Sequence, residues 1–364
     1  MRTTAEKTNS LPVHGGLNYA ELQSIGLCPE DVLDFSASIN PLGTAPGVSE
    51  AVQRVPADIY PDPSCLQLRR ALGRHLGIEP GSILVGNGST ELIHLIARAF
   101  LSYGDTVVIF APTFAEYEAA CRLQSVTPVF ISSKKDEGFR WDMPKALNII
   151  ADQKAAAVFV CNPNNPTGIH LKEQEVRQIA ETMDKCGLLV LDEAYRSFVD
   201  ECWPSHPLLC MENVLLLRSM TKDYALAGLR LGYMLASDAI VRQVGQYQYS
   251  WSVNAPAQAA GIAALSQQEH VELGRQMVVA SKKFLRSALS VIGLECIPST
   301  ANFLMIRVGE AARIRLELLK KYKICVRDCG SFGLPDYIRV GVRNKQDSRQ
   351  LVQALKEVVS DKDG

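Results

Sequence analysis

Between residues 81 and 235 the chain alternates short, uninterrupted apolar runs with longer segments whose apolar residues fall three and four apart. That alternation predicts a mainly parallel sheet with helices on both faces, because strands covered on both sides carry no polar face of their own. The predicted strands are 83–85, 106–110, 127–131, 156–161, 188–191, 214–217 and 231–235, and segments 90–101, 115–123 and 172–186 read as helices. From about residue 256 the texture changes. A long helical stretch to about 292 leads into two strand-like runs, 302–308 and 337–342, with helices between and after them. The expected fold is therefore α/β, with an N-terminal segment at 1–54 packing on the smaller domain or a partner subunit, a large domain at 55–254 and a small α+β domain at 255–364.

Composition narrows the partners. A chain of 364 residues, 47% apolar and with a formal net charge of -1, can bury a full core and offers no broad charged surface for a nucleic acid or an anionic membrane. No apolar run reaches the eighteen or so residues of a membrane span, and the polar opening at 1–10 reads as a frayed tail without a leader. The ten cysteines are scattered singly, with no Cys-x-x-Cys pair. Free thiols in a reducing cytoplasm fit that pattern, and even Cys325 and Cys329 lack a second ligand pair, so no metal site is assigned.

In open α/β sheets ligands gather beyond the carboxyl ends of the strands, and four loops placed there carry the candidate chemistry. Gly86-Asn87-Gly88-Ser89-Thr90 lies between a strand and a helix start, where a phosphate can rest on free N–H groups and on Ser89 and Thr90. A dinucleotide fingerprint is the rival for that loop, but Glu91 stands where its third glycine belongs. Asn162-Pro163-Asn164-Asn165-Pro166-Thr167-Gly168 builds a stiff turn that can hold the Asn165 amide against a ring oxygen. Asp192-Glu193-Ala194-Tyr195 closes a buried strand, where a carboxylate is costly unless paired. A pyridinium nitrogen would pair with Asp192 and stay protonated, with Tyr195 beside the phenolic oxygen. Ser219-Met220-Thr221-Lys222, followed eight residues later by Arg230, combines phosphate-binding types with a lysine. Desolvation and nearby cations lower such an amine's basicity and free it to attack an aldehyde.

Taken together and in this order, these residues resemble the fold-type I pyridoxal-phosphate enzymes, the aspartate aminotransferase superfamily, over essentially the whole chain. The resemblance implies the PLP-dependent transferase fold, pyridoxal 5'-phosphate as cofactor, Lys222 as its Schiff-base lysine and Phe114 stacked on its ring. It also implies a homodimer with shared active sites, in which Tyr60 of Ile59-Tyr60-Pro61-Asp62 reaches the neighbouring subunit's cofactor phosphate. Within the superfamily the chain is most similar to the threonine-phosphate decarboxylases of cobalamin biosynthesis, with histidinol-phosphate aminotransferases as close kin. That likeness rests on His14-Gly15-Gly16, on the segment from Leu33 through Asn40-Pro41-Leu42-Gly43, and on Trp251-Ser252-Val253-Asn254-Ala255. Tyr195 points the other way, since aminotransferases favour tyrosine there. The resemblance puts Arg339 where aminotransferases clamp the α-carboxylate and Arg327 where phosphorylated substrates are met, with His14 and Asn40 completing the substrate set. The implied reaction is decarboxylation of a small phosphorylated amino acid, L-threonine O-3-phosphate or L-serine O-phosphate. The alternative is an aminotransferase acting on histidinol phosphate or an aromatic amino acid.

Overall fold

The structure, a computed structural model, describes residues 12–183 and 187–360. The predicted 1–10 tail and the last residues of the predicted 172–186 helix lie outside them. In chain order the helices of the first half are α1 (Tyr19–Ser24), α2 (Val48–Gln53), α3 (Leu66–Leu76), α4 (Gly88–Phe100), α5 (Glu116–Leu123), α6 (Met143–Gln153) and α7 (Glu173–Thr182). They are followed by α8 (Asp238–Gly245), α9 (Ala255–Leu265), α10 (Gln268–Val291), α11 (Ala311–Tyr322) and α12 (Lys345–Ser360). A short strand β1 (Leu33–Asp34) precedes β2 (Ile83–Asn87), β3 (Val107–Ala111), β4 (Val129–Ser132), β5 (Ala157–Cys161), β6 (Leu188–Asp192), β7 (Val214–Ser219) and β8 (Leu231–Leu235). The remaining strands are β9 (Glu295–Ile297), β10 (Phe303–Arg307), β11 (Ile324–Cys325), β12 (Arg327–Asp328) and β13 (Tyr337–Gly341).

Seven strands form one sheet in the order β2-β8-β7-β6-β5-β3-β4, parallel except for β8, which runs against both neighbours. The apolar runs of β5 and β6 are buried along their whole length, as strands covered on both faces must be. Register decides where chemistry can gather. Cys161 pairs with Asp192, and Asp192 with Leu217, so β5, β6 and β7 end level with one another. Because β8 is reversed, its first residue Leu231 lies opposite Asn87 and its Gly232 opposite Ser219. The loop after β2, the loop after β7 and the residue before β8 therefore meet at the carboxyl edge.

The smaller sheet, in the order β12-β13-β10-β9, is antiparallel throughout. It shares its own apolar cluster with α10, α11 and α12, through Leu304, Ile306, Ile338, Leu318 and Leu355 among others. The N-terminal segment is stitched to it by β1 pairing in parallel with β11, while Leu22 of α1 packs near Leu319 and Cys325. Helix α9, apolar all round, packs against α2 and α3.

Sequence pattern and structure differ at identifiable places. The single helical stretch expected at 256–292 is two helices, α9 and α10, separated at Ser266 and Gln267, where Gln267 leaves the helical region with ψ near 48°. Helices α1, α2, α3, α6 and α8 and strand β9 lie outside the predicted segments. Strands β1, β11 and β12 have two residues each, too few for any period to register. No helix among the described residues is long and apolar enough to cross a membrane.

Candidate active site

The carboxyl edge of the large sheet opens into a cavity of about 470 Å³ whose other wall is the small sheet. Both Asp192 and Lys222 line it. Asp192, 3% exposed, accepts hydrogen bonds from the Tyr117 hydroxyl at 2.8 Å and from the Ala194 N–H at 3.0 Å. Burial pushes its carboxyl up to about 6 in spite of those donors. Lys222 is drawn the opposite way, down to about 8, by burial first and then by the nearby Arg339 and Arg230. Its Nζ stands 5.9 Å from the Tyr195 ring, whose own hydroxyl burial pushes up to about 12.

One end of the cavity is an anion cradle. Ser89 and Thr90 begin α4, whose first residue Gly88 has φ +76°, a conformation that strains any residue with a Cβ. A Cβ there would also lie 2.7 Å from Arg230 Nη2, so the guanidinium rests directly over the helix start. Thr221 lines the cavity as well, and its hydroxyl is 2.6 Å from that of Ser219.

The other end is lined by two buried arginines that face each other across β12 and β13 in the Arg327–Arg339 register pair. Arg339 Nη1 donates to Asn165 Oδ1 and its Nη2 to the Ser36 carbonyl at 2.9 Å. Its Nε and the Ser38 hydroxyl are buried with no hydrogen-bond partner among the described residues. Arg327 Nη2 donates to the Val13 carbonyl at 2.9 Å and to Ser331, and burial followed by the Arg339 charge lowers its basicity. His14 lies 5.4 Å from the Phe114 ring, centroid to centroid, and both line the cavity.

The structure thus gathers Ser89, Thr90, Phe114, Asn165, Asp192, Tyr195, Lys222, Arg230, His14, Arg327 and Arg339 around one space. Three expected residues stand elsewhere. Asn40 does not line the cavity: it is 1% exposed, its N–H donates to the Lys222 carbonyl at 2.7 Å and its amide to the Asp223 carbonyl at 2.9 Å. Those bonds hold the amide behind the lysine, outside the cavity lining. Ser219 does not line the cavity itself; its hydroxyl lies against that of Thr221, which does. Tyr60 is 77% exposed and stacks on Trp251 at 4.6 Å, outside its own chain's cavity. Tyr117 escaped the sequence reading, because an aromatic at helical spacing on α5 looks like core and only long-range packing brings it to Asp192.

The model of the family described as "Aminotransferase class I and II" matches residues 30–355. The chain belongs to that family. It is 35% identical over 91% of its length to a histidinol-phosphate aminotransferase of Symbiobacterium thermophilum, of which it covers 91%. The corresponding Moorella thermoacetica protein is 32% identical, with 91% of this chain and 86% of that one covered. Among solved structures, the histidinol-phosphate aminotransferase of Sinorhizobium meliloti in complex with pyridoxal-5'-phosphate superposes with a TM-score of 0.88, at 26% identity and 98% coverage of both chains. The L-threonine-O-3-phosphate decarboxylase of Porphyromonas gingivalis gives a TM-score of 0.78 at 27% identity, covering 90% of this chain and 99% of that one.

As a member of the aminotransferase family with the fold-type I architecture, the chain uses pyridoxal 5'-phosphate. The residues present fit that cofactor. The cradle at Gly88 and Arg230 suits a phosphate, the buried Asp192 suits a ring nitrogen that carries a proton, and the less basic Lys222 suits an aldehyde.

Proposed function

We propose that this chain catalyses amino transfer on a small phosphorylated amino compound, with histidinol phosphate the substrate to which its relatives' names point. Arg339 carries the reading. It is a buried cation with an unpartnered Nε, and it is fastened to Asn165.

Bound pyridoxal phosphate supplies an electron sink for negative charge at the substrate's α-carbon. Asp192, held by Tyr117 and Ala194, would keep the ring nitrogen protonated. Ser89, Thr90, Arg230 and Thr221, with Ser219 against it, would hold the cofactor phosphate, while Phe114 covers a ring face and Asn165 and Tyr195 hold its phenolic oxygen. Lys222 would anchor the cofactor and then move a proton at the α-carbon, a task suited to an amine whose basicity lies near 8. The bond that breaks is the one standing perpendicular to the ring. Arg339, fastened to Asn165, would clamp an acid group of the substrate on the side where Asn165 would hold the cofactor's phenolic oxygen, and Lys222 would then be free to take the α-hydrogen. Arg327 and Arg339 repel each other, and one doubly charged phosphate, or a phosphate and a carboxylate, relieves that repulsion. The same pair then serves the phosphate of the amino donor and the carboxylate of a 2-oxo acid acceptor in turn.

A second reading is favoured by the backbone of residues 13–16, which lies against both arginines. If that segment and a substrate phosphate occupy them together, the α-carboxylate is left unclamped. The reaction is then decarboxylation of L-threonine O-3-phosphate to (R)-1-amino-2-propanol phosphate for cobalamin biosynthesis. L-Serine O-phosphate is a second substrate of that reaction, since one methyl changes affinity by only about 1–3 kcal/mol.

Holoenzyme given histidinol phosphate, threonine phosphate and serine phosphate, each with and without a 2-oxo acid, separates the two. Amino transfer that depends on the oxo acid is the expected result. Carbon dioxide released without any acceptor replaces it with the second reading, and inertness toward all three phosphates removes both.

A further inference from the structure

Of four consecutive residues near the start of the described chain, three are hydrogen-bonded, to Arg327, Glu116 and Ser36, and the fourth packs tightly against Ser36 and Arg339. The Val13 carbonyl accepts from Arg327 Nη2 at 2.9 Å. His14 Nε2 lies 2.7 Å from Glu116 Oε1. Gly15 fits only because it lacks a side chain: a Cβ there would lie 2.2 Å from the Ser36 carbonyl oxygen and 3.1 Å from Arg339 Nη2. The Gly16 N–H donates to the Ser36 hydroxyl at 2.8 Å. Backbone 13–16 therefore runs as a strap directly over the two arginines of the substrate end.

Glu116 joins the strap to the cofactor side. Its second carboxylate oxygen is 2.7 Å from Nε2 of His94, which belongs to α4, the helix whose first turn forms the anion cradle. Two imidazoles on one largely buried carboxylate hold its pKa well down, at about 2, so Glu116 is charged at any physiological pH. No group of His, Cys, Asp and Glu among the described residues could hold a metal ion, so the trio is not a metal site.

We propose that Glu116 is a positioning residue that latches residues 13–16 over the substrate end of the cavity, and that the latched strap sets the size limit there by gripping compact phosphorylated substrates, while bulkier ones, histidinol phosphate among them, reach past it. The size limit rests on the reading of the substrate as a phosphorylated amino compound; the latch itself does not. A closed strap presents the His14 ring beside Phe114 and leaves less height above the cofactor side. A released strap removes one wall without touching Lys222 or Asp192.

The test uses holoenzyme of the wild type, Glu116→Gln, His14→Ala and the double variant. Amide hydrogen exchange of the peptide containing residues 13–16 should quicken about tenfold in each single variant and no further in the double, as expected for two ends of one contact. Exchange in α12 should not change. The Kd of O-phospho-L-serine or O-phospho-L-threonine, read as competitive inhibition of histidinol phosphate turnover or as KM where they are turned over, should rise about tenfold in Glu116→Gln, while the KM and kcat for histidinol phosphate stay within about twofold. His94→Ala, which leaves the His14 contact in place, should show a smaller version of both effects. Unchanged strap exchange in Glu116→Gln overturns the latch. Faster exchange with an unchanged preference between small and bulky phosphates overturns the size limit. A wild-type enzyme that binds no phosphorylated amine sinks the functional reading and the size limit with it, and the exchange data still decide the latch.

Discussion

Lys222 enters the cavity as a buried amine with Arg339 and Arg230 on one side of its charge balance and Asp192 on the other. With its basicity brought down to about 8, the reactive neutral amine becomes the majority form only above that pH. Cofactor-stripped protein should therefore bind added pyridoxal phosphate at a rate that rises with pH through about 8 and then levels off, as followed by absorbance. Arg339→Gln removes one of the neighbouring positive charges, so the midpoint should move to higher pH; a midpoint that stays put assigns the effect to burial and Arg230. Lys222→Ala should abolish turnover. Asp192 is shifted upward instead, from the usual 3.8 to about 6, by burial. An acid whose folded pKa exceeds its unfolded value stabilises the fold most at low pH and loses that contribution as pH rises through the folded pKa. For Asp192 the loss in cofactor-free protein is on the order of 3 kcal/mol between about pH 4 and pH 6. Asp192→Asn should raise the Tm of cofactor-free protein at pH 7 and flatten its pH dependence, while cofactor binding weakens sharply. A lower Tm at pH 7 would mean that the carboxylate is better compensated than its surroundings suggest.

At the scale of elements, α10 and the loop at 40–43 fix the lysine from behind. Gly274 of α10 lies so close to Asn40 that a Cβ would come 2.3 Å from its Oδ1, and Asn40 in turn holds the Lys222 and Asp223 carbonyls. Gly274→Ala should cost about 1–3 kcal/mol of stability through overpacking. The same change in an Asn40→Ala background should cost little, because the obstruction is gone; additive losses in Tm would show that the two positions are independent. This contact also marks where sequence pattern stops being informative. The four loops after β2, β5, β6 and β7 were legible because each follows an apolar run, and strand ends in such a sheet share one edge. Asn40 carried the right kind of side chain for a site, yet nothing in its neighbours tells a ligand contact from a bond to a distant backbone. Glu116 and His94 were invisible for a related reason: a carboxylate at the start of α5 and a single histidine among the apolar residues of α4 carry no local signal until tertiary packing puts 22 residues of separation within 2.7 Å. Local period reports the faces of elements, and contacts between elements lie outside it.

At the scale of the whole molecule the expected homodimer makes a claim that one chain cannot satisfy alone. Ile59, Tyr60, Tyr249 and Trp251 are all exposed, and Tyr60 and Trp251 stack on each other at the surface, away from the cavity of their own chain. An exposed apolar group of that kind is normally covered in the assembled protein, and in a two-fold dimer each copy presents the same patch to the other. If Tyr60 completes the phosphate cradle of the neighbouring subunit, then Tyr60→Ala and Lys222→Ala damage sites contributed by different chains. A hybrid of the two variants has one site that lacks both groups and one that has Lys222 from the first chain and Tyr60 from the second. Random mixing puts about half of the molecules in the hybrid form, each with one intact site out of two, so activity should return to about a quarter of the wild-type level. Both parents must be purified, found weakly active or inactive alone, and mixed by co-expression or by joint unfolding and refolding. Activity no greater than the mean of the parents would place Tyr60 outside the neighbour's site and leave the stacked pair with a purely structural part at the subunit boundary.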